Sequence, residues 1–193
     1  MSFINILSIL LFCIVYYLRT NLLYEGHKML TEKLYMAMNE QMMLEFASSN
    51  LYKSMASWCE SKGFKGSAHF LNAHAKEEME HMEKLFGYIN KTGNRAILGT
   101  LEAPKAEFGT LREVFEQTFK HEQLITKQIF ALADLSLELK DFSTFSFLQW
   151  YTAEQHEEEA LFHEIIEKFD IIGEQGKGLF MIDKEIGNLL RKH

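Results

Sequence analysis

His74-Ala75-Lys76-Glu77-Glu78-Met79-Glu80-His81 lies in the middle of a stretch patterned as a helix from Phe64 to Asn90. Leu71, His74, Glu78, His81 and Leu85 recur at spacings of three and four residues. That spacing places them on the stripe a helix normally buries. A carboxylate and an imidazole therefore stand where leucines belong. A buried carboxylate is costly unless something positive neutralises it, and Glu78 and His81, three apart, are neighbours on the helix surface. A metal ion would satisfy both. Glu-x-x-His alone is a loose pattern, which salt-bridged or solvated faces also satisfy, so its meaning depends on the flanking chain.

The chain has 193 residues, enough for one domain with a well-buried core. Apolar residues make up 47%, and one Pro with 11 Gly suits long uninterrupted helices better than the many tight turns of an all-β fold. A formal net charge of -7 argues against nucleic acid or an anionic membrane surface as partner, and suits the attraction of cations. Cys13 and Cys59 form neither a disulfide framework nor a Cys-x-x-Cys motif, so a cytoplasmic protein is expected.

The periodicity predicts four long helices. The first runs from Thr31 to Lys62, with Met38, Gln41, Glu45, Ser48, Tyr52 and Met55 on one stripe and a stop at Lys62-Gly63. The helix of Glu78 follows and ends at Thr92-Gly93-Asn94. Residues from there to Gly109 read as a loop, and Thr110-Leu111-Arg112-Glu113 as a capping box that opens the third helix. Its stripe is Leu111, Phe115, Thr118, Glu122, Ile125, Ile129 and Leu132. After a turn near Lys140-Asp141, the fourth stripe carries Leu148, Tyr151, Gln155, Glu158, Phe162, Ile165 and Phe169.

Polar residues intrude on these stripes at matched positions. Glu45 and Glu78 are 33 residues apart, as are Glu122 and Gln155, and the midpoints fall at the two predicted turns. In each antiparallel hairpin the pair thus meets at one height. The intervening loop can reach about 50 Å at roughly 3.3 Å per residue. A helix of about 27 residues is about 40 Å long, so the loop can cross the whole bundle and make the second and third helices parallel. Glu45, Glu78, His81, Glu122, Gln155 and Glu158 then converge in mid-bundle. A polar layer that merely fixed helix register would need one or two such groups.

Ferritin-like di-iron bundles use one Glu from each of two helices and a Glu-x-x-His from each of the other two. The first half of the chain fits this as Glu45 and Glu78-x-x-His81, whereas the fourth helix has Gln155-x-x-Glu158. In that departure the chain resembles the haem-free bacterial ferritins. The resemblance rests on Asn39-Glu-Gln-Met, Leu44-Glu45, His74 through Met82, Lys120-His-Glu-Gln-Leu-Ile-Thr, Phe147-Leu-Gln-Trp-Tyr and Glu154-Gln-His-Glu-Glu-Glu. It implies an all-α four-helix bundle with a long crossover between helices two and three and a short fifth helix. It further implies that Glu45, Glu78 and His81 bind one iron, that Glu78, Glu122 and Gln155 bind a second, and that Glu77, Glu154, Glu157 and Glu158 help hold a third. Tyr52 matches the family's tyrosine beside the site. Bacterioferritins are less similar; Met79 sits where their haem-ligating methionine does, but the haem-free ferritins share it, and no haem is expected. His74 and His121 read as structural.

The function so implied is oxidation of Fe(II) by dioxygen or hydrogen peroxide and storage of ferric mineral inside a cage of about two dozen copies of the chain. The alternative is a di-iron redox enzyme of rubrerythrin or peroxidase type, against which stand the missing rubredoxin-like Cys pairs and the missing second Glu-x-x-His. Following Gly173, Gly176 and Gly178, the amphipathic stretch with Leu179, Ile182, Ile186 and Leu189 is too short to be stable alone and needs a partner surface. Residues 29–193 are expected to form the ferritin-like domain. The apolar run Phe3 to Leu18 falls short of the roughly twenty residues of a spanning helix, and residues 1–28 are expected to form no working membrane anchor.

Overall fold

The computed structural model describes residues 29–189; the N-terminal apolar run, and with it the expectation about an anchor, lies outside them. Five helices follow in order: α1 (Glu32–Ser61), α2 (Lys65–Lys91), α3 (Leu111–Glu138), α4 (Phe142–Ile172) and α5 (Lys177–Leu189), with no strand among the described residues. None is long and apolar enough to cross a membrane.

Local chemistry sets the helix ends. Thr31 caps α1 by accepting from the Leu34 N–H, and Asp141 caps α4 by accepting from Thr144 N–H at 2.9 Å. Lys140, between α3 and α4, adopts a positive φ of 57°, so the turn is made without glycine. Thr110 caps α3 as expected, accepting from Glu113 N–H at 3.0 Å, but the box closes differently. The Glu113 carboxylate accepts from Gly109 N–H at 2.9 Å, one residue earlier than the reciprocal bond would require, and also holds Lys105 Nζ at 2.8 Å.

α1 and α2 form one antiparallel hairpin and α3 and α4 another, while α1 also packs on α3, and α5 lies against α2 and α4. Contacts give the directions. Tyr52 meets Glu122 and Met55 meets Thr118, so α1 and α3 run oppositely and α2 runs parallel to α3. The segment from Asn94 to Phe108 makes the required crossing without secondary structure. It is tied along α1 by Tyr35 to Arg95 O, by Asn39 to Ile97 in both directions, and by Ser54 to Lys105 O. Two apolar clusters fill the bundle. One around Phe70, Phe115, Phe162 and Phe169 also takes in Ile182 and Ile186 of α5, and the other lies around Met38, Leu85, Ile129 and Leu148. The polar intruders lie between them.

Candidate metal centre

Glu45 of α1 and Glu78 and His81 of α2 are all but fully buried and bring their ligand atoms within 4.8 Å of one another. His81 Nδ1 lies 3.5 Å from Glu78 Oε2 and 3.9 Å from Glu45 Oε2. Gln41, one turn before Glu45, donates to Glu45 Oε1. The other oxygen, Glu45 Oε2, and His81 Nδ1 have no hydrogen-bond partner. A buried polar atom left unpaired costs about 1–3 kcal/mol, and two of them converging with Glu78 describe a place for a cation. Carboxylates with one imidazole and no thiolate suit iron or manganese better than structural zinc.

The electrostatics agree. Burial raises Glu45 above the usual carboxylate range, against the pull of its hydrogen bonds. Glu78 is raised further, first by burial and then by the charges of Glu122 and Glu45. Burial pushes the His81 imidazole down to about 4, so the ring is neutral at physiological pH and has a lone pair to offer. The site is short of positive charge, and a divalent ion would reverse each of the carboxylate shifts.

On the opposite hairpin, Glu122 and Gln155 meet as their equal spacing predicts. Gln155 Nε2 donates to Glu122 Oε2 at 3.1 Å and lies 3.4 Å from Thr126 Oγ1, while Tyr52 reaches across from α1 to donate to Glu122 Oε1. Burial, then the charge of Glu158, pushes Glu122 up to about 8. Tyr151, read from sequence only as a core position, places a buried hydroxyl with no hydrogen-bond partner beside Glu45.

A third set opens towards the surface. His74 Nδ1 stands 3.4 Å from Glu77 Oε2 and 3.5 Å from Glu158 Oε1. Both His74 Nε2 and Glu158 Oε2 are buried and unpaired. Glu77 also gathers with His81 and Glu154, which links this set to the deep one. A cavity of about 330 Å³ is lined by His74, Glu77, Glu154, Glu157 and Glu158. Glu157 is exposed on its wall and joins neither cluster. Burial pulls the His74 imidazole down, but the adjacent carboxylates of Glu158 and Glu77 outweigh it and the net shift is upward. Sequence reasoning read His74 as structural; its place on the stripe one turn before Glu78 was the available signal. His121, also read as structural, has its Nε2 2.7 Å from Ser48 Oγ.

Comparison with known proteins agrees with this geometry. The profile of the ferritin-like domain matches residues 35–172. The chain is 54% identical over 164 residues to a probable bacterial non-heme ferritin-like protein of Haemophilus influenzae, covering 85% of this chain and 99% of that one. It is 50% identical over 161 residues to the bacterial non-heme ferritin of Escherichia coli, covering 83% and 98%. Among solved structures, an open pore ferritin from the archaeon Archaeoglobus fulgidus superposes with a TM-score of 0.80 at 39% identity, covering 82% of this chain and 96% of that one. With Glu45, Glu78, His81, Glu122 and Gln155 gathered between two hairpins joined by a crossover, the chain belongs to the ferritin-like family and is similar over 161 residues to a bacterial non-heme ferritin.

Proposed function

We propose that the protein is an iron-storage ferritin that oxidises Fe(II) with dioxygen or peroxide at a two-iron site and deposits ferric mineral within a closed homo-oligomer. The observation that carries this reading is the convergence of Glu45 Oε2 and His81 Nδ1, both buried and unpaired, on Glu78. Iron is the substrate. Glu45, Glu78 and neutral His81 would hold one ion, and Glu78, Glu122 and the Gln155 amide oxygen a second, with Tyr52 fixing the Glu122 carboxylate. Carboxylates stabilise Fe(III) over Fe(II), so they favour loss of an electron, and two adjacent ions can each give one to the same oxidant. The proton that the Glu122 carboxyl, pushed up to about 8, holds at neutral pH must leave as iron arrives. A neutral amide in place of a fourth carboxylate weakens the hold on the product, which suits release. Glu77, Glu154, Glu157 and Glu158, on the wall of the adjoining cavity, would take the ion outward.

Assembly is supported by the large apolar side chains that the single chain leaves exposed, Phe142 at 67%, Ile171 at 83% and Phe180 at 73%. Iron content after aerobic loading tests the reading. Hundreds of irons per assembly are expected; saturation at two or three per chain would reject storage in favour of a di-iron redox enzyme.

A further inference from the structure

Gln41 has neighbours of two kinds. On one side its amide donates to Glu45 Oε1 in the deep site. On the other it lines a cavity of about 300 Å³ between α1 and α3. The side chain is 3% exposed, so one glutamine forms the wall between that cavity and a carboxylate of the site. The cavity differs in kind from the one lined by His74, Glu77, Glu154 and Glu158. That one lies between α2 and α4 and is walled by carboxylates. Here Leu44, Leu132 and Leu135 supply apolar walls, and Glu40 is the one carboxylate. α1 packs on α2 and on α3, and α3 on α4, so the two cavities open on opposite sides of the bundle. The acidic side attracts a divalent cation. A cation entering among the leucines would lose its hydration without replacement ligands, whereas dioxygen has neither charge nor hydrogen bonds to lose. A water molecule takes up about 30 Å³, so the cavity has ample room for a diatomic gas.

We propose that dioxygen reaches the deep site through the α1–α3 cavity, past Gln41, while iron passes on the opposite, acidic side; the inference rests on the function proposed above. Gln41 is a positioning residue on this path. Its amide holds Glu45 Oε1 and leaves Oε2, which has no hydrogen-bond partner, 3.9 Å from His81 Nδ1. Rotation of the glutamine side chain breaks the bond to Glu45 and opens the wall. Dioxygen travels this way unchanged, and electrons move only once it meets the irons. Separate entry keeps the oxidant away from Fe(II) that is still on its way in, so a lone ion does not meet it before the pair is seated.

Two measurements on the full, assembled chain test the route. Crystals of the iron-free protein under xenon pressure should show xenon in the α1–α3 cavity and none in the acidic one, because xenon enters apolar cavities. In the protein loaded anaerobically with Fe(II), nitric oxide serves as an uncharged diatomic probe whose binding to iron is followed by stopped flow. Ala131→Trp places an indole in the cavity that Ala131 lines. It should slow nitric oxide binding at least about fivefold and raise KM for dioxygen by a like factor, well beyond any change in kcat, with the number of Fe(II) bound unchanged. Gln41→Ala removes the wall and should speed nitric oxide binding at least about threefold, a rate that a purely structural Gln41 would not affect. Nitric oxide rates unmoved in both variants overturn the route, as does xenon absent from the α1–α3 cavity; the xenon measurement needs no substitution and stands even if Ala131→Trp fails to assemble. Rapid Fe(II) oxidation in the parent with these rates unmoved rejects only the route, whereas no rapid oxidation in the parent rejects the function beneath it.

Discussion

Asp183, on α5, caps α2 from 116 residues away: its carboxylate accepts the Ser67 N–H at 2.8 Å and the Gly66 N–H at 3.1 Å. α2 has no side-chain cap of its own, because Phe64 occupies that position. The approach is close enough that a Cβ on Gly66 would lie 1.9 Å from the Asp183 carbonyl oxygen. Asp183→Ala should cost about 1 kcal/mol of stability, and Gly66→Ala should displace α5 altogether. Cys59, buried in the cluster that α5 covers, reports the event; burial pushes its thiol up to about 12 and keeps it inert. With Cys13 replaced by serine, labelling of Cys59 by a thiol reagent should be slow in the parent and markedly faster in Gly66→Ala.

Glu78→Ala and His81→Ala should each slow rapid Fe(II) oxidation at least about a hundredfold, with the assembly intact by sedimentation. Glu78→Ala should also raise the thermal midpoint of the iron-free protein, since it removes a carboxyl crowded by Glu45 and Glu122. A fast phase that survived Glu45→Ala would show that α1 contributes no ligand.

Stability of the iron-free protein should fall between mildly acidic pH and about pH 8. Burial and the charge of Glu158 push the folded Glu122 carboxyl up to about 8, above its unfolded value near 4.5. The folded state therefore binds the proton more tightly. This contribution is fully present below the unfolded value and is lost as pH rises through the folded one. Denaturant midpoints across that range should slope downward in the parent and flatten in Glu122→Gln.

His74→Phe should remove metal from the outer cluster and leave the deep one. Titration with a redox-inert divalent ion is expected to lose about one weak equivalent per chain, as second-sphere and ligand losses commonly weaken affinity by about 10–100-fold. The first rapid Fe(II) oxidation phase should persist. Glu157→Ala, on the cavity wall, should change oxygen stoichiometry rather than that rate.

The bundle was legible because its evidence is periodic and local. Every residue of the four predicted stripes, from Met38 to Phe169, is buried, and the shared 33-residue spacing led directly to the contact between Glu122 and Gln155. What sequence could not supply depends on neighbouring helices. His74 becomes part of a cluster only because α4 runs opposite to α2 and brings Glu158 to its height. Tyr151 reads as core, and only the assembled bundle brings its hydroxyl beside Glu45. Asp183 lies far along the chain from the amides it caps, and no local pattern announces the bond.

The crossover tied along α1 divides the proposed iron ligands between two pieces of chain. Glu45, Glu78 and His81 come before it and Glu122, Gln155 and Glu158 after it, so neither piece can assemble the site alone, and iron tests whether both have docked. The exposed residues Glu102 and Ala103 lie beyond the Asn39 anchor and before the Ser54 one. A chain nicked there would keep each end fastened to α1, and two separately made fragments should find one another and regain oxidation together.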